Sequence, residues 1–178
     1  MSTTRRRAQD AAVDLIGAEG IRALTHARVD AAASLPAGST SNHFRTRAAL
    51  IAGVIEGMAA AEREDAGASA IRSRDDLVGA LSRMIEAQSG PLAGRTRARY
   101  ALFLEADADA AQPLREQRLG MEAWIHGILL ELGSTRAAAR APFLMAACEG
   151  LLLHRITVDP DAPIAEVVAV AVDAALAS

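Results

Sequence analysis

The chain contains no lysine, so all 19 basic residues are arginine. A GC-rich coding sequence would give that choice, and no function follows from it. Cysteine is nearly absent as well: Cys148 stands alone, which excludes an intrachain disulfide and suits a reducing cytosol. Aromatic residues amount to one Trp, one Tyr and three Phe, too few for the half-buried pleated surfaces of a strand-rich protein. No long apolar run is present. The longest stretch, 163–177, is interrupted by Glu166 and Asp173 and is too short to span a bilayer, and Arg5, Arg6 and Arg7 lead into Asp10 and Asp14 instead of an apolar signal core. A soluble cytoplasmic protein is expected.

What the chain does have is alanine, 42 of its 178 residues, with 13 glycines. Alanine is the best helix former and permits close helix packing, so the composition points to an all-α fold. A chain of this length buries about 60 to 70% of its unfolded surface, enough for a sizeable core. The net charge of −3 hides an asymmetry. Residues 1–50 hold seven Arg against four acids, whereas 51–178 hold 12 Arg against 18 acids. A small polyanion-binding head on an acidic body has this distribution.

Ala8, Ala11, Ala12, Leu15 and Ile16 share one face of a helix over 7–19, and Gly20 ends it. Thr25 caps a short second helix over 26–33, which carries Val29 inward. A turn of about three residues leads into the polar stretch 36–44, PAGSTSNHF. Pro36 suits the first turn of a third helix, with Thr40 and Phe44 on its buried face and Ser39, Asn42 and His43 outward. Thr46 caps a long fourth helix over 47–66, followed by a connector at 67–74. Further helices are expected at 75–89, 95–109, 114–132, 135–157 and 164–177, separated by Gly and Pro positions.

Two short helices joined by a tight turn, the second polar outside, make a helix-turn-helix, and the second helix is the one that enters the major groove. The run Ala11-Ala12, Leu15-Ile16, Gly20, Leu24-Thr25, Val29, Ala33, Gly38-Ser39, Phe44, Arg47, Leu50 resembles the head of a TetR-type (tetracycline-repressor-like) transcriptional regulator. Four departures accompany the resemblance. Ser34 stands where the family has a glycine in the turn, Asp30 where it has a small residue, Thr40-Ser41 where it often has Leu-Tyr, and Arg47 where it has Lys. The resemblance implies a DNA-binding domain at 1–46 and a helical effector-binding and dimerisation domain at 47–178, with helix 47–66 connecting them.

For such a head, phosphate contacts are expected from Arg45, Arg47, Ser39, His43 and the Thr25 cap, although any single one of these is equally at home on a solvated surface. Asn42 and Ser41 would read bases, since an Asn amide pairs bidentately with adenine. Arg5, Arg6 and Arg7 lie either on the DNA or in a disordered tail. An enzyme is the weaker reading. Glu122 and His126 are four apart and Glu149 lies on another helix, but no second His at ligand spacing, phosphate loop or nucleophile motif accompanies them, so no metal and no cofactor are called for. A helical small-molecule-binding bundle without specific DNA binding is the remaining alternative.

By the resemblance, the middle helices enclose a small-molecule effector. The large side chains on otherwise Ala- and Leu-rich helices are Met84, Tyr100, Phe103, Met121, Trp124, Ile128 and Met145, with His126, Cys148 or Glu149 as polar handles, and plain core is the competing reading for each. With so few aromatics a smaller or aliphatic ligand is favoured. The last two helices are apolar on more than one face, so a homodimer through them is expected, with Val168 and Val172 facing the partner copy; the competing reading is that both faces are filled within a monomer.

Overall fold

The computed structural model describes residues 3–65 and 71–177. Among these the chain is all-helical, as expected: α1 (Thr3–Glu19), α2 (His26–Ala32), α3 (Ser39–His43), α4 (Arg47–Asp65), α5 (Arg74–Ser89), α6 (Ala93–Glu105), α7 (Gln112–Glu131), α8 (Ala137–Thr157) and α9 (Ile164–Leu176). A single 3₁₀ turn at Ile21–Ala23 follows α1. Residues 67–70 of the expected connector lie outside the described residues.

The described residues form two compact units, one drawn from 3–65 and 94–117 and the other from 71–93 and 118–177. In the first unit α1 packs on α2, α3 and α4. Its core joins Ala8, Ala12 and Ile16 of α1 to Leu24, Val29, Phe44, Leu50, Val54, Ile55 and Met58, with Ala98, Leu102 and Leu114 from α6 and α7. Phe44 reaches this core because Gly53 leaves room for it. A methyl at 53 would fall 2.1 Å from the Phe44 ring. Buried Gln9 adds a directional tie, its amide donating to the Gly53 carbonyl at 2.5 Å.

In the second unit α5, α8 and α9 pack on one another. The core side chains are Leu77, Leu81 and Ile85 of α5, Leu144, Cys148, Leu151 and Leu152 of α8, and Val168, Ala171, Val172 and Ala175 of α9. Val168 and Val172 are therefore interior to the protomer, at 1% and 0% exposure, and the expectation that they face a partner is corrected. The 3.6-residue repeat turns the other stripe outward, leaving Val167 and Val170 exposed on α9 and Phe143 and Leu153 on α8.

Other boundaries move for local reasons. α1 starts at Thr3 and so takes in Arg5, Arg6 and Arg7, which are helical residues and not a tail. α3 starts at Ser39 and not at Pro36, because Gly38 sits at φ 88°, outside any right-handed helix. α5 starts at Arg74 because Ser73 caps it: the Ser73 hydroxyl accepts from the Asp76 N–H while the Asp76 carboxylate accepts from the Arg72 N–H. α6 ends at Glu105, short of the expected 109, where its inward stripe of Ala98 and Leu102 gives way to the exposed acids Asp107 and Asp109.

Candidate nucleic-acid interface

The helix-turn-helix is assembled by polar groups placed on backbone ends. At the start of α2 the Thr25 hydroxyl accepts from the Arg28 N–H at 3.3 Å, the N-cap read from the sequence. At its end the chain passes through Ser34 at φ 51°, a left-handed conformation that glycine would adopt without strain. The Arg7 guanidinium donates to the Ala33 and Ser34 carbonyls at 2.6 and 3.2 Å, placing a positive charge at the negative end of α2. Arg5, its neighbour on α1, pairs with Glu56 at 3.1 Å and lies 5.3 Å from the Phe44 ring centroid.

On the inner side of α3, Thr40 is completely buried and Asp30 is 4% exposed. The Asp30 carboxylate accepts from the Thr40 hydroxyl at 2.5 Å, from the Thr40 N–H at 2.8 Å and from the Gly38 N–H at 2.8 Å. Burial pushes this carboxyl up, but the three hydrogen bonds and the nearby His26 outweigh it and hold the group below its ordinary range. His26 ties the far end of α3, donating from Nε2 to the Phe44 carbonyl at 2.5 Å.

The outer side of α3 is exposed and polar. Ser41, Asn42 and His43 face solvent, with Arg45 and Arg47 just beyond. Neither the Asn42 nor the Arg45 side chain has a hydrogen-bond or ion-pair partner among the described residues; the Asn42 N–H donates to the Gly38 carbonyl within the helix. Arg47 donates one nitrogen to the Ile21 carbonyl at 2.8 Å, which orients the guanidinium and leaves its other donors available. The Ser39 and Ser41 hydroxyls donate to the Pro36 and Gly38 carbonyls at 2.6 and 2.9 Å, so each must rotate before it can donate to a phosphate. Ser39, Ser41, Asn42, His43, Arg45 and Arg47 thus lie within one short segment, and Thr25 stands at the head of the preceding helix. Asp30, Arg7 and His26 were not expected to hold this arrangement. The one visible signal was an acid at position 30, where the resemblance calls for a small residue.

The effector candidates are spread over both units. Tyr100 and Phe103 belong to the first, where Phe103 packs against the head core. Met84, Met121, Trp124, Ile128 and Met145 belong to the second, in which Ile128 and Met145 are buried, Met84 half-buried, and Met121 and Trp124 exposed at 36% and 46%. Of the polar handles, Glu149 pairs with Arg118. The buried Cys148 thiol is pushed up to about 11, mainly by burial and secondly by Glu149. Such a thiol is a poor nucleophile at neutral pH. Among the described residues no three His, Cys, Asp or Glu side chains come together as a metal site, and no helix is long and apolar enough to cross a membrane.

An all-α chain with an exposed polar second helix in a helix-turn-helix, followed by a helical body, has the form of a one-component transcriptional regulator. The family model described as tetracyclin repressor-like, C-terminal domain, matches residues 72–178. The chain belongs to the TetR family of transcriptional regulators. A TetR-family member from Streptomyces coelicolor A3 superposes with a TM-score of 0.76 at 25% identity, over 99% of this chain and 100% of that one. The multidrug binding protein EbrR complexed with ethidium gives 0.72 at 22% identity, over 98% and 99%. FadR from Bacillus subtilis, in complex with stearoyl-CoA, gives 0.73 at 14%, over 96% and 97%. No curated protein sequence matches the chain.

Proposed function

We propose that two copies of this chain bind a near-palindromic operator as a repressor and that a small-molecule effector lowers their affinity for it. The observation that supports this most is the two-sidedness of α3. Its inner side is bonded to Asp30 and the core, while Asn42 and Arg45 stand exposed with their side-chain donors unengaged. Asn42 and Ser41 read base edges; Arg45, Arg47, Ser39, His43 and the Thr25 cap hold phosphates and set the register. The exposed apolar stripe of α8 and α9 supplies the dimer contact, and the two copies of α3 then enter successive major grooves about 34 to 36 Å apart.

The effector binds in the body, where Met84, Ile128 and Met145 offer adaptable apolar surface. One Trp and one Tyr give little to stack on, which supports a small or aliphatic ligand, in line with FadR more than with EbrR. No catalytic role is assigned to the chain.

An electrophoretic shift with DNA from around the protein's own gene, set against an unrelated duplex of equal length, tests the proposal. Preferential retardation of the first is expected; equal or absent retardation would leave a small-molecule-binding bundle. Log affinity should fall with log salt by about 0.9 for each phosphate contact. Arg45→Ala and Arg47→Ala should each flatten that slope, and Arg45→Ala is the cleaner variant because Arg47 also holds the Ile21 carbonyl.

A further inference from the structure

Two departures from the TetR-type pattern, an acid at 30 and a hydroxyl at 40, meet in one buried contact. Thr40 carries a polar atom into a fully buried site, and an unpartnered hydroxyl there would be costly. Asp30 brings a charge into the same site, and alone it would be costlier still. Together they satisfy each other: one carboxylate oxygen takes both the hydroxyl and the N–H of Thr40, and the other takes the N–H of Gly38. The acceptors are fixed because Asp30 is held within α2, and α2 is itself anchored at both ends, by the Thr25 cap and by Arg7.

We propose that Asp30 is a positioning residue for DNA reading: its carboxylate fixes the start and rotation of α3, and so the direction in which Asn42 and Arg45 project. This rests on the DNA-binding role proposed above for α3. The geometry explains why a carboxylate is needed. Three donors converge on it, and an asparagine offers one acceptor oxygen and turns an NH₂ group toward an N–H. A five-residue helix has few bonds of its own, so removing a three-bond anchor releases it as a unit. A group that only filled the core would be replaceable by an apolar side chain with little change outside; a group that aims the helix would not.

The test uses the full-length protein in two arms. In the first, hydrogen exchange is followed without DNA. Asp30→Asn and Asp30→Ala should raise exchange at the Gly38 and Thr40 amides and along α3 by about tenfold or more, leaving α5, α8 and α9 unchanged. Unchanged protection at 38–43 in both variants would overturn the inference, whether or not the protein binds DNA. In the second arm, wild-type protein selects its preferred sequence from a pool of random duplexes, and affinity for that duplex is compared with affinity for the unselected pool. Asp30→Asn should lose about tenfold or more of this preference while affinity for the pool stays nearly constant, since Arg45 and Arg47 are untouched. Equal loss on both duplexes would show that Asp30 serves only folding. If the wild type enriches no sequence, the DNA reading fails and the exchange arm alone decides whether Asp30 positions α3. Thr40→Val separates the contributions further: it removes only the hydroxyl bond and should show the same pattern at a smaller size.

Discussion

The α2–α3 segment of the head and the α5–α8–α9 packing of the body are both helical, yet they are held by different forces. The head segment offers little apolar area, Val29 and Phe44 chiefly, and is fixed by directional bonds: Arg7 on the end of α2, Asp30 on the start of α3, and His26 on the end of α3. The body is fixed by apolar burial, with Leu77, Leu81, Ile85, Leu144, Leu152, Val168 and Val172 almost entirely enclosed. Directional bonds set an angle and a register, which a surface that reads bases needs. Apolar burial is non-directional and leaves Val167, Val170, Phe143 and Leu153 exposed, which a self-associating surface needs.

The contrast breaks most visibly in the body. Val168→Glu with Val172→Glu puts two unpaired charges into the core and should destabilise the protomer by more than about 3 kcal/mol, seen as a collapsed thermal transition. Moving the same change outward should have another result. Leu153→Glu with Val170→Glu should keep the helical circular-dichroism spectrum, give monomers by sedimentation, and remove operator binding. A variant that stays dimeric would place the interface elsewhere.

In the head the effects are smaller and depend on charge. The Asp30 carboxyl is held below its ordinary 3.8, so its stabilisation is present above that pH and is lost as pH falls through the folded value. Wild type should exceed Asp30→Asn by about 1.5 to 3 kcal/mol at pH 6 in urea unfolding. That gap should narrow progressively as pH falls below 3.8, and a gap independent of pH would remove the charge from the explanation. The smallest change concerns the turn. Ser34→Gly relieves a positive φ and should raise stability by up to about 1 kcal/mol, read as a small upward shift in melting temperature.

The helices were legible because alanine content, the 3.6-residue spacing of Leu, Ile and Val, and Gly or Pro at the joints all act locally. The outward set on α3 was legible for the same reason, since Thr40 and Phe44 fix the inner face of so short a helix. What holds α3 was not legible, because Asp30 reaches Thr40, and Arg7 reaches Ala33, only after the turn has closed. The division of α9 into an inner and an outer stripe was also missed. Nearly every position there is apolar, so pattern alone does not show that Val168 and Val172 face in while Val167 and Val170 face out. The effector residues are obscured by the same property, as Leu, Met and Ile serve a core and a ligand alike.

The claim that α3 reads DNA turns most directly on Asn42, whose side chain is exposed and without a hydrogen-bond partner among the described residues. Affinities of wild type and Asn42→Ala should be measured at one salt concentration on a duplex selected by the wild type and on an unselected pool. A loss of about 1 to 3 kcal/mol on the selected duplex, with the pool nearly unchanged, is the predicted result. Equal losses on the two, or none on either, would contradict base reading by this helix.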